Sequence, residues 1–475
     1  MLFSSSIFLF LFLPVVLGLY YLSPTKLKNV LLIVSSLVFY TWGEKVLVMV
    51  MITATVVDFL AALLIDKGKR KLGMTISILM NLSFLGFFKY FNFAFENFYS
   101  LITYLGLDNK LFHNVPHIAL PIGISFYTFQ TLSYTSDVYR GHVKATRNFI
   151  DFFAYVTLFP QLIAGPIVRY IDIQNQLNNK NISVQNFALG IERFVIGLAK
   201  KMLIANTCAE LADAVFSTPV GELSTAWAWG GIVMYSFQIF FDFSGYSDMA
   251  IGLGKMLGFD LLENFNYPYI SKSIREFWRR WHISLSTWFR DYVYIPLGGN
   301  QVSTPRIYMN LFIVFFVTGL WHGASWNFIF WGLFHGFFIV IERMGFDRLL
   351  SRLWLPLQHA YALVIVLVGW VFFRADDLSQ GFQFLSKMFS LSTGEVGRIS
   401  YLSHFFFNKQ FLLAAAVATL LSTPLYVKLS HYTDARIAPH AATGFARLVL
   451  GIILFIISIS FIAADSYNPF IYFRF

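Results

Sequence analysis

An all-α polytopic membrane protein is the fold class this sequence predicts, and three observations carry the prediction. Of the 475 residues, 57% are hydrophobic and 13% charged, with a mean hydropathy of +0.63; a soluble domain carries about 25% charged residues. Apolar segments long enough to cross a bilayer recur along the chain, given that a hydrocarbon core of ~30 Å needs about 20 helical residues. No polar linker divides the sequence, so residues 1–475 read as a single membrane-embedded domain.

Taken in order, the first apolar run, 2–21, lacks a basic leader and a small-residue cleavage site, so it reads as a retained span and not a signal peptide. Further runs of spanning length occupy 46–65, 72–91, 355–373, 409–427 and 446–463, with shorter or interrupted stretches near 29–41, 118–135 and 149–167. The stretches 223–257 and 307–341 are each expected to hold two segments, which brings the total to about eleven crossings. A single helix over 307–341 would be ~52 Å long. A break at Gly323-Ala324-Ser325 instead predicts two short helices with His322 at the turn. Two prolines and a glycine interrupt the apolar segment from Leu158 to Pro166, and irregular backbone at that depth must be buried in protein or line a wet cavity. Over 274–291, Ile274, Phe277, Trp278, Trp281, Leu285, Trp288 and Phe289 share one helical face while Arg275, Glu276, Arg279, Arg280, Arg290 and Asp291 share the other. That pattern predicts one helix lying in the interface plane, with His282 at the edge of its apolar face.

The net charge is +10. No basic segment lies outside membrane-like surroundings, so the charge reads as cytoplasmic loops facing a lipid bilayer and not as a nucleic-acid surface. Lys67, Lys69, Arg70 and Lys71 form the clearest cluster and are placed in the cytoplasm. Arg436 and Arg447 precede the last span and Asp465 follows it, which predicts an extracytoplasmic C-terminus. Cys208 is the only cysteine, which excludes an internal disulfide and a thiolate zinc site. His113 and His117 have helical spacing, but Pro116 lies between them and no further ligand is apparent, so no metal site is expected.

Two histidines stand out as candidate functional residues, because ionisable side chains in hydrocarbon are costly. From Ile307 to Ile341 there is no Lys, Arg, Asp or Glu, and only His322 and His335 titrate near neutral pH. His322 is either a core histidine bonded to a backbone carbonyl or a base; His335 reads as packing. His282 is the second candidate. Asp242 and Asp248, among Ser244, Tyr246 and Ser247, read as a hydrogen-bonded network between helices or as a cavity lining.

The motifs Phe277-Trp278-Arg279-Arg280-Trp281-His282-Ile283-Ser284, Tyr294-Ile295-Pro296-Leu297-Gly298-Gly299-Asn300 and Gly319-Leu320-Trp321-His322-Gly323 resemble those of the membrane-bound O-acyltransferase superfamily. Within it the chain is most similar to alginate O-acetyltransferase membrane subunits and their peptidoglycan- and cellulose-acetylating relatives. The resemblance extends over nearly the whole chain, through Leu120-Pro121-Ile122-Gly123, Phe241-Asp242-Phe243-Ser244-Gly245, Glu263-Asn264-Phe265-Asn266 and Trp370-Val371-Phe372-Phe373-Arg374.

That resemblance implies a ring of about eleven transmembrane helices around a central funnel, with interfacial and re-entrant helices. It also implies a multi-pass protein of the bacterial cytoplasmic (inner) membrane. His322 is then the catalytic base or nucleophile and His282 a catalytic partner that orients or polarises the donor. Arg279, Arg280, Arg290, Asp242 and Gln161 are candidates for donor binding or funnel lining, the arginines through the phosphates of coenzyme A or through anionic lipid headgroups. No tightly bound cofactor is expected, and acetyl-CoA is the expected co-substrate. An extracytoplasmic SGNH-type acetyltransferase partner would pass the group to a polysaccharide such as alginate, or to peptidoglycan or cellulose. The tail 469–475 resembles an aromatic motif whose tyrosine, here Tyr472, relays the acyl group; an aromatic belt at the headgroups is the alternative. Broken helices with buried ionisable groups also mark small-solute transporters, the rival reading from another class.

Overall fold

A computed structural model describes residues 1–107, 112, 115–391, 393–394, 403, 408–425, 440–464 and 467–469. Tyr472 and the rest of the tail beyond Pro469 lie outside the described residues, as does His113. Every regular element described is helical. Among the described residues, six helical stretches have the length and apolar composition to cross a membrane: Thr25–Asp66, Arg70–Tyr104, Thr304–His322, Trp326–Leu350, Leu355–Arg374 and Gly444–Ala464. Phe8–Leu22 and Lys409–Leu421 are shorter apolar helices at two further expected spans.

After α1 (Leu13–Leu22), the stretch Thr25–Asp66 divides at Lys45, whose φ of 46° ends α2 (Lys28–Glu44) before α3 (Val48–Asp66). α4 (Arg70–Leu85) runs through a π-bulge at Gly86–Tyr90 into α5 (Phe91–Tyr104). α6 (Ile124–Arg140) then returns, its Arg140 end beside Arg70, whose side chain donates to the Tyr139 carbonyl. The proline-containing segment is irregular and buried, as expected: α7 (Phe149–Thr157) gives way to the single turn α8 (Phe159–Leu162), and every residue from Asp151 to Val168 is buried. α9 (Tyr170–Asn178) and α10 (Val184–Ala199) follow, and a π-helical turn at Lys200–Ala205 leads into α11 (Asn206–Phe216).

The expected break within 223–257 is absent. α12 (Thr225–Met256) is one unbroken helix of 32 residues. Its glycines serve close packing instead of interruption. A Cβ on Gly245 would stand 2.7 Å from the Gly197 carbonyl oxygen, and one on Gly252 2.6 Å from that of Gly190. α10 and α12 therefore touch backbone to backbone, the small-residue contact by which helices associate in lipid.

The single interfacial helix expected over 274–291 is instead two short ones, α13 (Ile274–Arg280) and α14 (Ile283–Phe289). They part at His282, which adopts a left-handed φ of 44°. A non-glycine residue there is strained unless its surroundings impose it. The side chain of Asn264 supplies the constraint, as described below. The other expected break is present: α15 (Thr304–His322) ends on the predicted residue and α16 (Trp326–Ile341) returns alongside it. α17 (Asp347–Leu350), α18 (Leu355–Arg374) and α19 (Leu378–Phe389) complete the helices around the site.

Two large apolar clusters fill the interior, one led by the helices before α12 and one by those after it, and α12 contributes to both. A third, small cluster of Phe126, Phe129, Ile167, Leu285, Trp288, Phe289 and Trp321 joins α6, α14 and α15.

Candidate active site

α15 and α16 meet with almost no side-chain layer between them. A Cβ on Gly319 would come within 2.3 Å of the Phe328 carbonyl oxygen, and one on Gly332 within 2.3 Å of that of Phe315. This contact fixes the turn at Gly323, over which the Phe328 ring lies, and holds the last residue of α15 in the protein interior.

That residue is His322. Its ring stands edge-on to Trp321, Trp331 and Phe373 at centroid distances of 4.8, 4.9 and 5.1 Å. It is 6% exposed, and this exposure faces a cavity of about 230 Å³ whose wall includes Lys89, Ile122, Ser125, Ile163, Trp321 and His322. One residue of its wall, Lys89, lies well along its helix from the basic cluster, and that helix continues past it to Tyr104. At ~1.5 Å per residue the helix rises ~28 Å from Arg70 to Lys89, close to a hydrocarbon thickness.

His282 reaches the same place from the other side. Its ring lies 6.0 Å from that of Trp321, so one indole separates the two imidazoles, and 4.6 Å edge-on from Phe243 of α12. His282 Nδ1 is 3.0 Å from Asn264 Oδ1. The same oxygen accepts the Ser284 backbone N–H at 3.2 Å and the Ser284 hydroxyl at 2.9 Å. Since a backbone N–H donates to it, this Asn264 atom is the acceptor, and His282 Nδ1 must carry the hydrogen. In the neutral ring Nε2 is then a lone pair, and it is buried with no hydrogen-bond partner among the described residues. Asn264 Nδ2 in turn donates to Ser247 of α12 at 3.3 Å. The left-handed turn at His282 is thus imposed by one asparagine anchored to the longest helix.

Trp321 is itself held in a column of rings. It stacks on Phe129 at 5.4 Å, and Phe129 stacks on Trp288 at 3.8 Å. The Trp288 indole N–H donates to the Phe129 carbonyl at 3.0 Å. The chemistry available here is base catalysis among aromatic rings: two imidazoles flank one indole, and one of them opens onto a cavity.

The remaining sequence candidates are dispersed. Asp242 forms a buried ion pair with Lys201 at 2.9 Å, and Asp248 pairs with Arg193 and Lys200. These contacts carry the helix-network reading of the two acids, and neither lines the cavity. Gln161 is fully buried, donates to the Tyr155 carbonyl at 2.6 Å and does not reach the cavity wall. Arg280 pairs with Glu276 at 2.9 Å and donates to the Asn266 carbonyl. Arg279 and Arg290 are exposed, and Arg290 pairs with Asp291. His335 packs among Phe277, Trp278 and Trp331.

Two site residues escaped the sequence reading. Asn264 belongs to a motif noted above, but its role emerges only when a loop brings it against His282. Lys89 carries a signal that was available: it is a lysine inside the expected span 72–91, and charged residues in spans face the bundle interior. Its ammonium donates to Ser125 Oγ at 3.1 Å and to the Trp321 carbonyl.

Residues 72–374 match the family model described as membrane-bound O-acyltransferase. The chain is 41% identical to a probable alginate O-acetylase of Azotobacter vinelandii and 42% identical to one of Pseudomonas putida, in each case over the full length of both chains. It is 33% identical to a peptidoglycan O-acetyltransferase of Helicobacter pylori, over all of this chain and 98% of that protein.

Proposed function

The chain belongs to the membrane-bound O-acyltransferase family, and from that premise we propose that it carries acetyl from cytoplasmic acetyl-CoA across the membrane for O-acetylation of an extracytoplasmic polysaccharide. Family membership makes the protein a membrane-embedded O-acyltransferase and removes the solute-transporter alternative. Alginate is the acceptor best supported by the similarity to alginate O-acetylases, ahead of peptidoglycan.

One observation carries the catalytic reading. His322 ends a helix inside the bundle, with its ring on the wall of a cavity that it shares with Lys89, a residue ~28 Å along its helix from Arg70. With the basic cluster in the cytoplasm, that cavity faces the acceptor side, and the thioester approaches His322 from the inner face. His322 accepts the proton of the attacking hydroxyl, a task suited to an imidazole with an ordinary pKa near ~6.5. The hydroxyl oxygen bonds to the acetyl carbon, the carbon–sulfur bond breaks, and the thiolate leaves with the proton. His282, held as the Nδ1–H tautomer by Asn264, presents its Nε2 lone pair within the same aromatic chamber. Tyr472 is the proposed acceptor hydroxyl inside the protein, from which an SGNH-type partner takes the acetyl group outside.

The test is acetylation of the polysaccharide in cells. His322→Ala is expected to abolish it while the protein still folds and inserts; normal acetylation in that variant rejects the mechanism. Tyr472→Phe keeps the ring and removes the oxygen, and unchanged acetylation there rules out the relay.

A further inference from the structure

We propose that Lys89 is a catalytic residue: its ammonium stabilises the oxyanion formed in acyl transfer, and the cavity it shares with His322 is the reaction chamber. The assignment rests on the acetyl-transfer reading above and extends it to a residue that the family resemblance did not mark.

Lys89 is 8% exposed. Its hydrogen-bond acceptors are neutral, the Ser125 hydroxyl and the Trp321 carbonyl, and among the described residues it has no ion pair with a carboxylate. An ammonium has three N–H donors, so these two acceptors leave one donor over. No acidic residue lines the cavity. A buried cation with no counter-charge is costly, and such an arrangement is of use where negative charge appears transiently beside it.

Three local features aim the group. The π-bulge at Gly86–Tyr90 changes the helical register at this residue, so that Lys89 is buried while Phe87 is half exposed; such bulges are frequent at functional sites. Ser125 is set in the first turn of α6 by Gly123, whose φ is 77° and whose Cβ, if present, would stand 2.6 Å from the Leu162 carbonyl oxygen. The carbonyl that Lys89 grips belongs to Trp321, the residue before His322. The cation is therefore tied to the backbone that carries the base.

As the acceptor oxygen bonds to the thioester carbonyl carbon, its proton passes to His322 and the carbonyl π pair moves onto oxygen, producing the anion that Lys89 meets. Collapse returns that pair to the carbonyl and breaks the carbon–sulfur bond. The departing thiolate takes the proton from His322, leaving an O-acetyl ester and free coenzyme A thiol.

The experiment measures thiol release from acetyl-CoA by the full-length protein in lipid nanodiscs, with the SGNH-type acetyltransferase partner supplied and an alginate oligosaccharide as the final acceptor. Lys89→Met is expected to lower kcat by about 100–1000-fold, as loss of one oxyanion donor does, with KM for acetyl-CoA within about threefold of wild type. Lys89→Gln keeps an N–H for Ser125 and the Trp321 carbonyl and should lose kcat comparably, so a folding defect of the Met variant does not decide the matter. Lys89→Arg restores the charge and should recover about tenfold or more of the loss. Turnover by wild type together with a kcat for Lys89→Met or Lys89→Gln within about fivefold of it, or a loss carried by KM, overturns the assignment alone. Absence of turnover in wild type overturns the acetyl-transfer reading, and this assignment with it.

Discussion

At the scale of single residues, the site depends on one hydrogen-bond acceptor serving three donors. Asn264 Oδ1 takes the His282 ring N–H, the Ser284 N–H and the Ser284 hydroxyl. Asn264→Ala strands all three in a buried setting, at about 1–3 kcal/mol for each group left unsatisfied. It also frees His282 to relax from φ 44°, and displacements near 1 Å in an active site can cost ~100-fold in rate. We expect a lower melting temperature in detergent together with a fall in thioester turnover of about tenfold or more; a destabilised variant with wild-type turnover would show that the orientation of His282 is immaterial to the reaction. His322 was legible because it interrupts a stretch without Lys, Arg, Asp or Glu, and His282 because it stands at the edge of the apolar face of 274–291. Lys89 was not singled out because one lysine in an aromatic-rich span reads equally as a snorkelling side chain, and only the π-bulge shows that it turns inward. Asn264 was illegible in principle, since its partners come from beyond an irregular loop.

Among elements, the same expectation of two segments gave opposite results in two places. Gly323 was expected to break 307–341 and does so, because the segment is far too long for one span and its turn carries Gly323 and Ser325 together. The stretch 223–257 was likewise expected to hold two segments, yet α12 runs through it unbroken, and its Gly245 and Gly252 admit α10 instead. A glycine in a membrane helix is thus read as a breaker or a contact only once its neighbour is known. The contact has a measurable consequence. A Cβ on Gly197 would sit 2.5 Å from the Gly245 carbonyl oxygen, whereas one on Gly18 meets nothing within 4 Å. Gly197→Leu should force the two helices apart and cost at least about 1–3 kcal/mol, the range for overpacking a close-fitted interior. Gly18→Leu should leave thermal stability within about 0.5 kcal/mol. Equal melting temperatures for the two variants would contradict the backbone contact.

Across the whole molecule, the segment after the last span is tied back into the bundle by residues far away in sequence. Tyr467 donates to Asp213, which Arg374 also holds at 2.5 Å; Asn206 donates to the Tyr467 carbonyl; Asn468 donates to Ser4; and Lys201 donates to the Pro469 carbonyl. From Asp213 to Lys201 these anchors descend the π-helical turn and α11 by ~18 Å, so the described tail heads into the bundle. Sequence showed that the tail is aromatic and follows a span; it could not show this direction, because the anchors lie in helices more than two hundred residues earlier. The deepest anchor is also a buried ion pair, Lys201 with Asp242, each side chain at most 3% exposed. Removing one partner of such a pair leaves a buried charge and typically costs about 3–5 kcal/mol, whereas replacing both with apolar groups is close to neutral. Lys201→Met should therefore destabilise the protein strongly, and Lys201→Met/Asp242→Leu should recover most of that loss. Neither variant retains a donor for Pro469, so the restored double variant isolates the tail. We expect an epitope following Phe475 to be removed by protease in reconstituted vesicles many times faster in the double variant than in wild type, with polysaccharide acetylation reduced in parallel. Wild-type protection and acetylation in a stable double variant would mean that the ion pair only braces α12 and has no part in presenting the tail.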